Sequence, residues 1–242
     1  LNSLTGGLDE QEFILITARP ALGETAIALQ ISNYMAKRGK HTLFVSLEMS
    51  KHQLGLRIFA GETNINSWHM KTGKLKDSDW AMLANVIGPL SDNKMRVNTK
   101  MATIQDIRAY CRELKRKNMM DMVVIDYLQL ISPAGKHGTR EQEVASMSRE
   151  LKLMSREFKI PVIAISQLNR AADNRRPGLP DLRESGALEQ DADTVWFLYE
   201  PPPDDVPKKY MQAALDIRNR GEKFMELIVA KQRNGDVGTI YL

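Results

Sequence analysis

The sequence predicts an α/β fold, a mostly parallel twisted sheet covered by helices on both faces, and three observations predict it. Apolar stretches of strand length alternate with stretches of helical length, the order of a sheet whose strands are joined through helices. Two of those stretches, Met122 to Asp126 (MVVID) and Pro161 to Ser166 (PVIAIS), are apolar without alternation, as strands buried on both faces are. The third is Phe13 to Leu29 (FILITARPALGETAIAL): a buried strand, a tight loop with Pro20 and Gly23, and a helix from Thr25 to Met35. Strand, short loop and helix start in that order surround an anion with backbone N–H groups and the positive end of a helix dipole.

The remaining elements follow in order. Leu1 to Leu8 (LNSLTGGL) is turn-rich, and His41 to Ser46 (HTLFVS) reads as a second strand running into Leu47, Glu48 and Met49. Lys51 to Ala60 is predicted helical, with Leu54 and Ile58 on an apolar stripe, and Asp77 to Leu90 forms another helix with Pro89 near its end. Lys94 to Asn98 is a short strand, Thr103 to Lys117 a basic helix, Thr139 to Phe158 a long helix, and Thr194 to Tyr199 a strand. Asn169 to Ser185 is polar and arginine-rich and reads as a loop; Glu200 to Glu222, proline-rich and charged, reads as mobile. Phe224 to Ala230, a turn at Asn234-Gly235-Asp236, and Val237 to Leu242 predict a C-terminal antiparallel hairpin.

Length and composition bound the function. A chain of 242 residues with 43% hydrophobic and 26% charged residues suits a single globular domain, here 1–242. The formal charge of +4 favours a polyanionic partner only mildly. One cysteine, Cys111, excludes an internal disulfide and suits a reducing cytosol. No apolar run reaches the length of a membrane span, so no membrane partner is expected. The chain starts almost at its first strand, which predicts a piece of something longer.

Tested as a phosphate-binding loop, G-x-x-x-x-G-K-[ST], positions 18 to 25 give Ala18 for the first glycine, a matching Gly23, Glu24 for lysine and a matching Thr25. The same pattern also describes an ordinary strand-to-helix turn. Other residues add weight, because ligands of parallel sheets gather beyond the carboxyl ends of the strands. Glu48 follows the second strand, Asp126 ends MVVID, and Gln167 follows PVIAIS. An aspartate there can hold Mg²⁺, a glutamate can orient a water, and a glutamine can sense a γ-phosphate; carboxylates also end strands simply because loops are wet. Lys231 and Arg233 alternate at the hairpin tip and share one face, either as solvated cations or as an arginine finger reaching a neighbour's phosphates. Arg170, Arg175, Arg176 and Arg183 are either solvated or track a nucleic-acid backbone, and the lack of aromatics from Asn169 to Gln190 argues against base stacking. Met119, Met120 and Met122 read as core filler, and the four histidines lack metal-ligand spacing.

Taken in order, LNSLTGGL (1–8), ARPALGET (18–25), VSLEMS (45–50), VVIDYLQL (123–130), PVIAISQLNR (161–170), DLRESGALEQDAD (181–193) and AKQRNGDVGT (230–239) resemble the C-terminal, RecA-like P-loop NTPase domain of DnaB-type replicative DNA helicases. DLRESG and KQRNG are specific to that family among P-loop ATPases. The resemblance implies that Ala18, Arg19, Pro20, Leu22, Gly23, Glu24, Thr25 and Ala26 line the ATP phosphates, and that Thr25 and Asp126 hold Mg²⁺. It implies that Glu48 activates water, Gln167 senses the γ-phosphate, and Lys231 and Arg233 reach the adjacent subunit's nucleotide. Arg183, Glu184 and Gly186 match the loop that grips single-stranded DNA in the channel of a six-membered ring. Primase and a helicase loader are the family's further partners, and the cytoplasm of a bacterial or phage-infected cell is the implied location.

Alanine at the first loop position is common in this family; glutamate at 24, where the family has lysine, is a departure that predicts impaired hydrolysis. The family's N-terminal primase-contacting domain and linker helix are not among these residues, so a stable ring is not expected of this fragment. The leading expectation is a motor domain coupling ATP hydrolysis to translocation on single-stranded DNA and duplex unwinding. Its rival is a catalytically inactive ring subunit or regulatory protein that keeps the fold. A RecA-like recombinase or clock-type ATPase is disfavoured by DLRESG and KQRNG.

Overall fold

The computed structural model describes residues 2–132, 138–168 and 175–242. In chain order the elements are α1 (Asn2–Thr5), β1 (Phe13–Ala18), α2 (Glu24–Lys37), β2 (Thr42–Ser46), α3 (Lys51–Thr63), α4 (Ser67–Thr72), α5 (Asp77–Ser91), β3 (Met95–Asn98), α6 (Ile104–Arg116), β4 (Met122–Asp126), α7 (Arg140–Phe158), β5 (Val162–Gln167), α8 (Gly186–Asp191), β6 (Thr194–Tyr199), α9 (Met211–Asn219), β7 (Glu226–Gln232) and β8 (Gly238–Tyr241). The chain divides into two compact units, a mid-chain unit (Thr25–Ala134) and a composite unit (Leu1–Glu24 with Gly135–Leu242).

In the mid-chain unit, β2 lies between β3 and β4, all parallel, with Phe44 level with Val97 on one side and Val124 on the other. Every residue of β2 and β4 is buried, which accounts for the apolar runs Leu43 to Val45 and Met122 to Ile125 within them. Helix α6 buries Ile104, Ile107, Cys111 and Leu114, spaced at three and four residues, and its first turn is capped by the Thr103 hydroxyl accepting from the Asp106 N–H. Ser50 and Gln53 form a capping box at the start of α3. The short helix α4 has no counterpart in the sequence reading. Its six residues carry no apolar stripe, and the signals lie outside it: Asn66 caps the start, and Gly73 at φ 70° ends it in the left-handed conformation that glycine adopts without strain.

In the composite unit, β1 lies between β5 and β6, all parallel, and β7 and β8 extend from β6 in antiparallel pairing. Phe13, Ile14, Leu15 and Ile16 have no exposed surface, and burying each such side chain contributes about 1.5–3 kcal/mol. Helix α7 is capped by Thr139 and Gln142 and buries Val144, Met147, Leu151, Met154 and Phe158 along one stripe. The expected C-terminal hairpin is β7 and β8.

Two readings need correction. Part of the loop expected from Asn169 to Ser185 lies outside the described residues, but Leu179–Ser185 is a 3-10 helix that leads into α8. The stretch from Glu200 to Glu222, expected to be mobile, is folded: two 3-10 turns (Pro203–Asp205 and Lys208–Tyr210) precede α9. Val206, Ala214 and Phe224 are buried together, with Tyr210, Ile217 and Tyr241 against them, and the Tyr210 and Tyr241 rings lie 4.2 Å apart. Arg218 donates to the Pro201 carbonyl at 2.6 Å. The apolar positions 206, 210, 214 and 217 do keep helical spacing, but the prolines and charges between them break up the apolar stripe by which a helix is recognised. Phe224→Ala is therefore expected to lower the unfolding free energy by about 3–5 kcal/mol in denaturant titration, and to speed trypsin cleavage after Lys208 and Lys209 relative to the parent.

Candidate active site

The loop after β1 is shaped by its own backbone. The Leu22 N–H donates to the Arg19 carbonyl at 3.3 Å, Ala21 and Gly23 take φ values of 67° and 98°, and α2 begins at Glu24. Gly23 meets the requirement for a positive φ without the strain a side chain would add. Arg19 and Pro20 are exposed, Leu22 and Ala26 half-buried. Glu24 and Thr25, in the first turn of α2, are 8% and 7% exposed. The first turn of a helix favours an anion, and in this chain Glu24 brings a carboxylate of its own.

Within the mid-chain unit, the Thr25 hydroxyl donates to Asp126 Oδ2 at 3.1 Å. Asp126 ends β4 and is 1% exposed; Ser46 at the end of β2 is level with it, and the Leu47 N–H donates to its carbonyl at 2.7 Å. Glu48 follows in an exposed turn that the Ser46 hydroxyl closes by accepting the Met49 N–H at 3.1 Å. The sequence reading missed Tyr127. Burial, then the charges of Glu48 and Asp126, push its phenol above the ordinary tyrosine range. Thr25 and Asp126 form an oxygen-only pair of the kind a hard cation takes. Among the described residues no group of three or more His, Cys, Asp or Glu could hold a metal. An oxygen pair of this kind is donor chemistry that would suit Mg²⁺.

Within the composite unit, Gln167 ends β5 half-buried and level with Ala18, and the Leu168 N–H donates to the Ala18 carbonyl at 3.0 Å. A cavity of about 440 Å³ opens at the same strand ends, lined by Arg19, Arg175, Tyr199, Pro201 and Arg218. Its cations come from three distant stretches of sequence, so no motif announces it. Arg175 is held there by both oxygens of Asp181, which also accepts the Gly178 N–H at 2.8 Å.

Lys231 and Arg233 lie on one side of the strand end, as their alternation predicted, and both contact the end of α8. Lys231 donates to the carbonyls of Glu189 and Ala192 at 2.5 and 2.7 Å; Arg233 donates to that of Gln190 at 2.7 Å and pairs with Asp193 at 3.2 Å. Burial, then the charge of Arg233, pulls the Lys231 ammonium below its ordinary range. Of the residues matched to the DNA-gripping loop, Gly186 is the exposed first residue of α8, while the side chains of Arg183 and Glu184 lie outside the described ones. Met120 and Met122 are buried core residues, and Met119 packs its sulfur against Arg96 at 3.7 Å. Among the described residues no helix is long and apolar enough to cross a membrane.

Comparison with known proteins places this geometry. The chain is 44% identical over its whole length to the replicative DNA helicase DnaB of Geobacillus stearothermophilus, and 42% identical to the replicative DNA helicase DnaC of Bacillus subtilis, spanning 52% of each. Among solved structures, one isolated ATPase domain superposes with a TM-score of 0.87 at 36% identity, covering all of this chain and 84% of that one. A DnaB-like replicative helicase, solved in work on its interactions with primase, gives the same TM-score and identity and is covered over 57% of its length. The chain thus has the RecA-like α/β fold of those ATPase domains and spans about half the length of its curated relatives. With the DnaB-like helicase C-terminal domain model matching residues 1–242, this chain belongs to the DnaB-like helicase family as its C-terminal domain.

Proposed function

We propose that this chain is the single motor domain of a ring-forming replicative DNA helicase, coupling ATP binding and hydrolysis to movement along single-stranded DNA, with hydrolysis impaired by Glu24. The observation that carries the reading is the Thr25–Asp126 pair, where the helix after the phosphate loop meets the end of a buried strand. Residues 18 to 26 hold the phosphates through loop amides and the start of α2. Thr25 and Asp126 would hold Mg²⁺, whose chemistry is to neutralise charge on the phosphate oxygens. Glu48, exposed in the turn after β2, orients the attacking water; Gln167 reads the γ-phosphate; Lys231 and Arg233 serve a neighbour's nucleotide. Single-stranded DNA lies against Arg183, Glu184 and Gly186. Primase and a loader act on the longer protein, in the cytoplasm of a bacterial or phage-infected cell.

Glu24 favours a second reading, a ring subunit that keeps the fold without turning over ATP. It is buried in the first turn of α2, so its carboxylate does not relax into solvent. A pair of like charges about 4 Å apart costs roughly 4 kcal/mol at an effective dielectric near 20. Hydrolysis suffers more than binding, because the missing cation also stabilises transition-state charge. The chain is therefore expected to bind ATP weakly with little turnover. Glu24→Lys, in assembled rings with DNA, should raise affinity and kcat by orders of magnitude. Equal rates with and without the substitution at saturating ATP would overturn the assignment of the loop.

The trans role of Arg233 is checked in mixed rings carrying Glu24→Lys. An Arg233→Ala subunit should bind nucleotide normally while silencing the adjoining site, and loss confined to its own site contradicts the assignment. For DNA, Arg183→Ala should weaken binding to all sequences alike and flatten the salt dependence by roughly 0.7 in log–log slope, one phosphate contact. An unchanged slope removes Arg183 from the contacts.

A further inference from the structure

Asp193, between α8 and β6, is 8% exposed and joins four parts of the composite unit. Its Oδ2 accepts the N–H of Phe13, the first residue of β1, at 2.7 Å and the Lys152 ammonium of α7 at 2.5 Å. Its Oδ1 faces the Arg233 guanidinium at 3.2 Å. The main chain repeats the connection: the Asp193 N–H donates to the Phe13 carbonyl at 2.9 Å, and the Asp193 carbonyl accepts the Arg233 N–H at 3.0 Å. The carbonyls that hold Lys231 and the other side of Arg233 belong to Glu189, Gln190 and Ala192, at the C-terminal end of α8. Such an end presents unused acceptors and the negative pole of the helix, a natural seat for cations.

We infer that Asp193 is a positioning residue that fixes Arg233 on the end of α8 and ties it to the first residue of β1, so that the cation serving a neighbouring nucleotide is held at a set distance from its own chain's phosphate loop and DNA segment. This rests on the motor reading above for what Arg233 serves. The contacts engage the two terminal nitrogens of Arg233 yet leave 43% of its side chain exposed, so the group is held without being covered. An arginine ordered before its phosphate arrives spends less conformational entropy on contact than one ordered at that moment. Helix α8 also begins at Gly186, where the proposed DNA segment ends, and at 1.5 Å per residue its six residues separate that point from the cation seat by only about 9 Å. A shift of the DNA segment is thereby carried to Arg233 through one rigid element.

Two measurements test this. In the chain as it stands, side-chain ¹⁵N NMR of Arg233, assigned with Arg233→Lys, should report a guanidinium as immobile as the backbone, and Asp193→Asn should release it. Asparagine keeps an oxygen for the Phe13 N–H but removes the charge paired with the nearly buried Lys152, so the melting transition should fall, and the NMR comparison is made well below it. A mobile Arg233 in the parent, or one unchanged by Asp193→Asn, overturns the inference. In assembled rings carrying Glu24→Lys, Asp193→Asn should lower DNA-stimulated kcat between about tenfold and a hundredfold, the scale of a catalytic group displaced by about 1 Å, with KM for ATP unchanged. It should add nothing to Arg233→Ala, because both remove one action. An unaltered kcat, or losses that multiply, also overturns it. Rings with no DNA-stimulated turnover before Asp193 is touched defeat the motor reading instead, and the NMR result then decides the positioning role by itself.

Discussion

A strand buried along its whole length leaves polar side chains no place but its ends, and that constraint arranges this molecule. β1, β2 and β4 are sealed throughout, and β5 and β6 until their last residue. In the mid-chain unit Asp126 stands at the carboxyl end of β4 and Glu48 two residues beyond β2; in the composite unit Gln167 stands at the carboxyl end of β5. At the opposite ends the same pressure acts on the backbone. The Phe13 amide cannot stay unsatisfied in a dry interior, and it receives the Asp193 carboxylate. Within the composite unit, the carboxyl end of β5 carries Gln167 and the amino end of β1 carries the contact that fixes the C-terminal cations.

The same constraint explains what could be read from the sequence. Met122–Asp126 and Thr194–Tyr199 are strands with the bounds their residues predict, because a continuous apolar run interrupted by a charge or a proline has little freedom. The places of Glu48, Asp126 and Gln167 at strand ends were legible because each lies at or just past such a run. Helices α4 and α8 were not, since six residues carry too little periodicity, and α9 hid behind prolines and lysines although its buried positions keep helical spacing. Of the site, Tyr127, the arginine-lined cavity and Asp193 remained out of reach. The cavity's arginines and the partners of Asp193 are far apart in sequence, as when Asp193 meets a residue 180 positions away, and a single sequence read by itself offers no cue to such meetings.

Glu24 sets local structure against chemistry. As a structural choice it is sound, because a carboxylate in the first turn of a helix is stabilised by the helix's own dipole. As a phosphate ligand it is the wrong sign. The feature that makes the loop a seat for an anion is the one that lets the fold accept this residue, so an intact fold carries no guarantee of a working loop.

The buried face of α6 has a consequence of another kind. The only sulfhydryl in the chain, Cys111, sits there with no exposed surface. Thiol reagents attack the solvated thiolate, so alkylation must wait until that helix lifts from the core beneath it or the unit unfolds. The rate at which a maleimide consumes Cys111 therefore clocks the opening of the structure around α6.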